Sequence, residues 1–206
     1  MLIFVADGPQ GRVFGYDRSG VLLMVLGKAG EISYPAALAI DPQRNRLYVA
    51  DSYAHRIKVF TTLGNPLFDI GGAGAIGVKG LRSPISIALD RAGSVYVLDS
   101  GNRRVHVYDP DGNPLRTFSV SKGVPGGPWQ PKAIAVDSAG HVYAADSIHN
   151  TILVFDRDGR FLFTWGKTGS FLGDFWTPVA VFIDGSDRIY IADQTNSRIQ
   201  VYQFVK

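Results

Sequence analysis

Three observations predict an all-β fold built from repeated four-stranded antiparallel sheets. One pattern recurs five times, its marker residues Asp7, Asp51, Asp99, Asp146 and Asp193 standing 44, 48, 47 and 47 residues apart. Strand-length apolar runs alternate with Gly- and Asp-rich turns, and no window carries helical spacing. Composition agrees: the 206 residues are 46% hydrophobic and 19% charged, with 24 Gly and 11 Pro, which excludes disorder and coiled coils. No apolar run approaches the roughly 18 residues of a membrane span, so no membrane insertion is expected. The apolar start Met1 to Ala6 lacks a basic flank and meets Asp7 too early for a secretory leader. With no Cys, disulfides, thiolate zinc sites and thiol nucleophiles are excluded.

Each unit resolves into four strands, named a to d. Strand a follows Pro35, Pro84, Pro131 or Pro178, as in Ala36 to Ile40, and alternates small with branched residues. Strand b is the run ending at the repeated Asp, for example Leu47-Tyr48-Val49-Ala50. Strand c opens with a branched residue six positions after that Asp (Val13, Ile57, Val105, Ile152, Ile199) and carries an aromatic three later. Strand d follows a turn Gly (Gly20, Gly64, Gly112, Gly159), as in Phe161 to Trp165. Four antiparallel strands at this period are the material of a β-propeller blade. The count is 18 strands: complete blades at 35–71, 84–118 and 131–166, flanked by partial blades 1–27, lacking strand a, and 178–204, lacking strand d.

The stretch Tyr48 to Phe60 resembles the core of the NHL repeat, as does Ile189 to Tyr202. The Asp and the branched residue six later occur in all five copies. The Arg five later occurs in four (Arg12, Arg56, Arg104, Arg198), with Thr151 departing. The resemblance covers nearly the whole chain and implies a single NHL-repeat propeller domain over 1–206. Six blades closed by an N-terminal outer strand would need roughly 70 further residues, so the chain reads as the C-terminal portion of such a ring. The alternative is an open arc whose unpaired edges invite self-association. The resemblance also leans towards export to a bacterial periplasm or the extracellular space.

In such a meander the b–c turns and d–a connections share one end of the blades, and the a–b and c–d turns share the other. The latter end is acidic, with Asp90, Asp109, Asp111, Asp137, Asp158 and Asp187 among its residues. The former carries a basic surplus through residues such as Arg56, Arg103, Arg104, Lys122 and Lys167. Much of this is expected to be structural: Asp in Asp-x-x-Gly turns caps its own backbone. The repeated Asp and Arg stand at the two ends of a b–c hairpin as an ion pair. The connections 28–34, 72–83, 119–130 and 167–177 carry Tyr34, Trp129, Phe171, Phe175 and Trp176 ahead of the repeated Pro. These aromatics either plug seams between blades or form a docking rim. The candidate partner-binding residues are Tyr53, His55, Arg103, Arg104, Trp129, His149, Phe175 and Trp176.

No catalytic residue, metal site or cofactor is expected. The inner strands Ala36–Ile40, Ile85–Leu89, Lys132–Val136 and Val179–Ile183 hold no His, Asp, Glu or Asn. The zinc-dependent amidating lyases that resemble the family place His near those strands. Of four His, His106 lies within strand c, His141 opens strand b, and His55 and His149 occupy different positions in separate b–c turns. Ser147, His149 and Asp146 are too close in sequence for a relay. Gly72 to Gly77 satisfies G-x-G-x-x-G but precedes no helix, and Gly166-Lys167-Thr168 lacks the leading Gly of a P-loop.

A non-catalytic protein-interaction scaffold presenting the b–c turns and d–a loops is therefore the leading expectation. The alternatives are single-stranded RNA binding on the basic face and a metal-dependent lyase or lactonase-like hydrolase. A pI near 9.2 favours RNA, while a net charge of +3 over the whole chain is a weak field for it.

Overall fold

The computed structural model describes residues 2–72 and 80–203. Five antiparallel sheets follow one another. The first holds β1 (Ile3–Asp7), β2 (Arg12–Tyr16) and β3 (Leu22–Leu26). The second holds β4 (Pro35–Asp41), β5 (Arg46–Asp51), β6 (Arg56–Thr61) and β7 (Pro66–Gly71). The third holds β8 (Pro84–Leu89), β9 (Val95–Asp99), β10 (Arg104–Tyr108) and β11 (Pro114–Ser119). The fourth holds β12 (Ala133–Val136), β13 (Val142–Asp146), β14 (Thr151–Phe155) and β15 (Phe161–Trp165). The fifth holds β16 (Pro178–Ile183), β17 (Arg188–Asp193) and β18 (Arg198–Gln203). Spatial order equals chain order in every sheet, so each is a meander of propeller-blade type. Three sheets are complete, and the outer two are three-stranded, the first without strand a and the last without strand d. The chain divides into two compact units, Met1–Ile87 and Ala88–Lys206.

Strands begin where proline fixes an extended φ: β4, β8 and β16 open on the Pro itself, while β12 opens two residues past Pro131. The b strands β9 and β13 are buried at every position, and β5 from Leu47 to Asp51, because both faces of the strand are covered. Continuous apolar sequence is what two-sided burial requires. In the first unit Val13, Leu26, Ile32, Leu47, Val49 and Phe60 form one core cluster. In the second, Tyr143, Ile152, Val154 and Phe175 pack with Val181, Ile189 and Ile191. The c–d ladder slips by one residue at the same repeat position in all four sheets that have a strand d, between Gly15 and Tyr16, Val59 and Phe60, Val107 and Tyr108, and Val154 and Phe155. A bulge there strengthens the twist of the outer pair.

The aromatic at this slip is buried in the middle three sheets: Phe60, Tyr108 and Phe155. Two of the three are Phe, so the site does not require a hydroxyl. The Tyr108 hydroxyl is buried without a hydrogen-bond partner, and burial pushes its phenol up to about 12. Tyr108→Phe is accordingly expected to raise stability by about 1 kcal/mol, since it removes an unsatisfied polar atom without opening a cavity. A lowered urea midpoint in this variant would contradict that reading.

Candidate functional site

The b–c turn is the most regular feature of the repeat. The Asp closing strand b lies directly across the ladder from the residue opening strand c: Asp51 opposite Arg56, Asp99 opposite Arg104, Asp146 opposite Thr151 and Asp193 opposite Arg198. The expected ion pairs form, with Arg Nε to Asp Oδ2 distances of 3.3, 3.2 and 2.8 Å for Arg56, Arg104 and Arg198. Thr151 instead donates its hydroxyl to the carbonyls of Trp165 (2.8 Å) and Gly166 (3.1 Å). Asp7 and Arg12 share the same register in the first sheet.

These Asp carboxylates do more than pair. Asp51, Asp99, Asp146 and Asp193 are fully buried. Asp51 Oδ1 accepts the N–H groups of Ser33 and Tyr34 (3.0 and 2.9 Å), Asp146 Oδ2 that of Gln130 (2.5 Å), and Asp193 Oδ1 that of Trp176 (2.6 Å). The donors stand within two residues of Pro35, Pro131 and Pro178. One carboxylate therefore holds both the b–c turn and the connection entering its own strand a. Burial pushes the Asp193 carboxyl up, but hydrogen bonds from Trp176 N–H, Asn196, Arg198 and Gln200 outweigh it and hold the group below its ordinary value.

A second clasp runs to the following connection. The residue four past the repeated Asp has positive φ in every copy: Gly11 (63°), His55 (56°), Arg103 (53°), Asn150 (56°) and Ser197 (51°). All five lack β-branching, which suits the left-handed region. From this position His55 Nδ1 accepts the Ser83 N–H (3.1 Å), and Asn150 Oδ1 accepts the Thr177 N–H (2.7 Å). The same His55 Nδ1 lies 3.1 Å from the Ser52 carbonyl oxygen, so the ring spans the b–c turn and the following connection.

The opposite turns follow the Asp-x-x-Gly reading, except that Asp187 (φ 60°) takes the Gly position after Asp184. Asp17, Asp90, Asp109, Asp137, Asp156 and Asp184 each accept two backbone N–H groups within four residues. The Arg188 backbone N–H leads the contacts that hold the Asp184 carboxyl down to about 2, and the Ser19 hydroxyl leads those that lower Asp17.

The structure separates the candidate partner residues. Phe175 is wholly buried, edge-on to Trp165 (5.7 Å), and so plugs a seam rather than forming a rim. Trp129 is buried too, its ring 4.4 Å from His149 and its Nε1–H donated to the Pro125 carbonyl at 3.1 Å. His149 Nδ1 lies 3.1 Å from Asp146 Oδ1, and Arg104 belongs to the Asp99 ion pair. These four serve the scaffold. His55 serves it through Ser83. Tyr53, by contrast, is 70% exposed and stacks on Tyr34 at 4.6 Å; Trp176 is 50% exposed; Arg103 is exposed. The Gly72–Gly77 string lies outside the described residues from Ala73 onward, as does Lys79. Thr168 accepts the Asn150 side-chain N–H (2.9 Å) in the connection.

Two features carried no sequence signal, the support of the repeated Asp from within strand c and a cavity, while the tip of connection 167–177 was marked only through Phe171 as one aromatic ahead of the repeated Pro. His106 is buried, with Nε2 3.2 Å from Asp99 Oδ2 and Nδ1 3.0 Å from Thr117 Oγ1. Gln200, seven past its own repeated Asp as His106 is past Asp99, makes the matching bond to Asp193 (3.1 Å), which marks both as supports of the carboxylate. The connection 167–177 presents Phe171 and Leu172, 81% and 84% exposed. At the other end of the second unit a cavity of about 840 Å³ is lined by Asp137, His141, Val154, Leu162, Phe163 and Asp187, among others.

Comparison with known proteins agrees with this repeat architecture. The family model of the NHL repeat matches residues 33–60 and 81–108, and a model described as a 6-bladed beta-propeller matches 131–206. NHL repeat-containing protein 3 of Mus musculus is 29% identical over 119 residues, covering 52% of this chain and 34% of that protein. NHL repeat-containing protein 2 of Gallus gallus is 28% identical over 123 residues, covering 52% and 17%. The chain thus matches only a minor part of these relatives' length. Selenomethionine-substituted virginiamycin B lyase of Staphylococcus aureus superposes with a TM-score of 0.68 at 13% identity, over 100% of this chain and 67% of that one; the likeness is one of fold. The phased Asp residues facing across each b–c ladder, the blade-type sheets and the matched repeats have one joint conclusion: the chain carries NHL repeats folded as β-propeller blades.

Proposed function

We propose that the chain is a protein-interaction scaffold that docks partners through its b–c turns and d–a connections. One observation carries this reading: the buried Asp clasps fix the backbone of both segments, while Tyr53, Arg103 and Trp176 on those segments remain exposed. Rigid aromatic and Arg side chains on an ordered backbone lose little entropy on binding, which is the composition of interface hot spots. The relatives named for their NHL repeats support the reading at the level of the repeat. The polar groups nearest the turns, including His55, His106 and His149, are engaged by the scaffold.

The test is a comparison of wild type with the triple variant Tyr53→Ala, Arg103→Ala, Trp176→Ala in affinity capture, scored by the proteins retained. The variant is expected to keep its circular dichroism spectrum and melting temperature and to lose at least about tenfold of the captured partner, as removal of two or more hot-spot residues entails. Undiminished capture would assign recognition elsewhere.

A further inference from the structure

The exposed tip of the 167–177 connection is built, not loose. Arg198 donates to the carbonyls of Ser170 (2.8 Å), Phe171 (2.9 Å) and Asp174 (3.0 Å), and Asn196 donates to that of Gly169 (2.9 Å). The Gly173 N–H is held by Gln200 Oε1 and the Tyr202 hydroxyl. Asp174 N–H closes a turn on the Phe171 carbonyl (3.1 Å) with Gly173 at φ 86°, the conformation that glycine supplies at the third position of a type II turn. Four side chains of the β17–β18 hairpin thus order a loop whose two apolar side chains, Phe171 and Leu172, touch little of their own molecule. Lys167, at the base of this loop, is exposed.

The same unit holds a cavity of opposite character. The 840 Å³ cavity has an apolar wall of Val154, Leu162 and Phe163, the last two among the exposed large hydrophobics, and among the described residues its lining carries Asp137 and Asp187 and no Lys or Arg. A cavity of that size accommodates two side chains with room to spare, within the range of roughly 300–1,000 Å³ common for binding sites. Its turns, a–b of the fourth and fifth sheets, lie at the far end of the strands from the loop. Five-residue strands rising about 3.3 Å per residue separate the two features by at least ~15 Å, so one molecule cannot fill its own cavity.

Resting on the reading that the d–a connections dock partners, we infer that the partner of this one is a second copy of the chain: Phe171 and Leu172 of one copy enter the cavity of the next, with Lys167 beside its acidic lining. Such a contact is heterologous, joining unlike surfaces, and so propagates head to tail. The lack of a cationic cluster around the tip among the described residues disfavours a lipid surface, where two apolar side chains alone hold weakly.

Sedimentation velocity over a wide concentration series tests this. Wild type is expected to gain mass with concentration, and Leu172→Asp and Phe163→Asp, both at exposed positions, are each expected to abolish that gain while keeping the wild-type melting temperature. Mixed together, the two variants still offer one intact tip-bearing copy, Phe163→Asp, and one intact cavity, Leu172→Asp, and are expected to form a dimer that neither forms alone. A wild type that stays monomeric throughout, or an association unchanged in both variants, overturns the inference. So does a monomer that binds phosphatidylcholine–phosphatidylserine vesicles through Leu172, which would make the tip a lipid anchor. A monomeric wild type whose captured partners still depend on Tyr53, Arg103 and Trp176 defeats self-docking alone, whereas association in solution with undiminished capture defeats only the proposed scaffold face.

Discussion

Asp193→Ala is expected to lower stability by about 3–5 kcal/mol, the cost of breaking a buried charge network by removing one member. Four donors converge on this carboxylate: Trp176 N–H (2.6 Å), Asn196 Nδ2 (2.8 Å), Arg198 Nε (2.8 Å) and Gln200 Nε2 (3.1 Å). Alanine removes the acceptor that all four share: the Trp176 N–H and the charged Arg198 Nε lose their hydrogen-bond partner, while Asn196 and Gln200 keep only the carbonyls of Gly169 and Asp174. Asn is expected to rescue little, because its amide presents donors to donors. The effect should spread along the chain. Arg198 also holds the carbonyls of Ser170, Phe171 and Asp174, so loss of its anchor frees the 167–177 connection. Urea unfolding gives the stability change, and limited proteolysis should place new cleavage in that connection. A variant within about 0.5 kcal/mol of wild type, the ordinary surface value, would show that the carboxylate is not a clasp.

Phe175→Ala is expected to cost about 3–5 kcal/mol, while Phe171→Ala, four residues earlier in the same connection, should change stability by less than about 0.5 kcal/mol. Phe175 is wholly buried among Tyr143, Ile152 and Val181, with Trp165 and Tyr202 edge-on at 5.7 and 6.5 Å. Truncation leaves a cavity that strands on both sides cannot close, and Phe175→Leu, which fills most of it, should cost under about 1.5 kcal/mol. Thermal melts of the three variants decide the point. Equal costs at 171 and 175 would mean that the connection packs as a unit, contrary to the separation of seam from tip.

The strands were legible because their apolar runs, turn glycines and prolines report backbone geometry directly, and all 18 fall where the repeat implies. The Asp–Arg pair was legible for the same reason: its members bound the b–c turn and face each other across the ladder. What the carboxylate does with its other oxygen was not. The donors from Ser33, Tyr34, Gln130 and Trp176 are backbone N–H groups, which leave no residue-type signature. The left-handed residue four past the Asp was hidden likewise, since Gly marks it only at Gly11. The five residues there share the absence of β-branching, a signal visible only once the copies are aligned. Aromatics ahead of the repeated Pro looked alike in sequence, yet Trp129 and Phe175 are buried while Phe171 and Trp176 are not. Their fate depends on packing against other strands, and that is tertiary information.

Amide hydrogen exchange tests the clasp most directly. The N–H groups of Tyr34, Gln130 and Trp176 sit in irregular connections, where backbone amides ordinarily exchange fast. Bonded to buried carboxylates, they should instead be protected to nearly the degree of strand b amides such as Val49 and Ala144. In Asp193→Ala the Trp176 amide alone of the three should lose that protection. Rapid exchange of all three in the wild-type protein, with the strands still protected, would contradict the account.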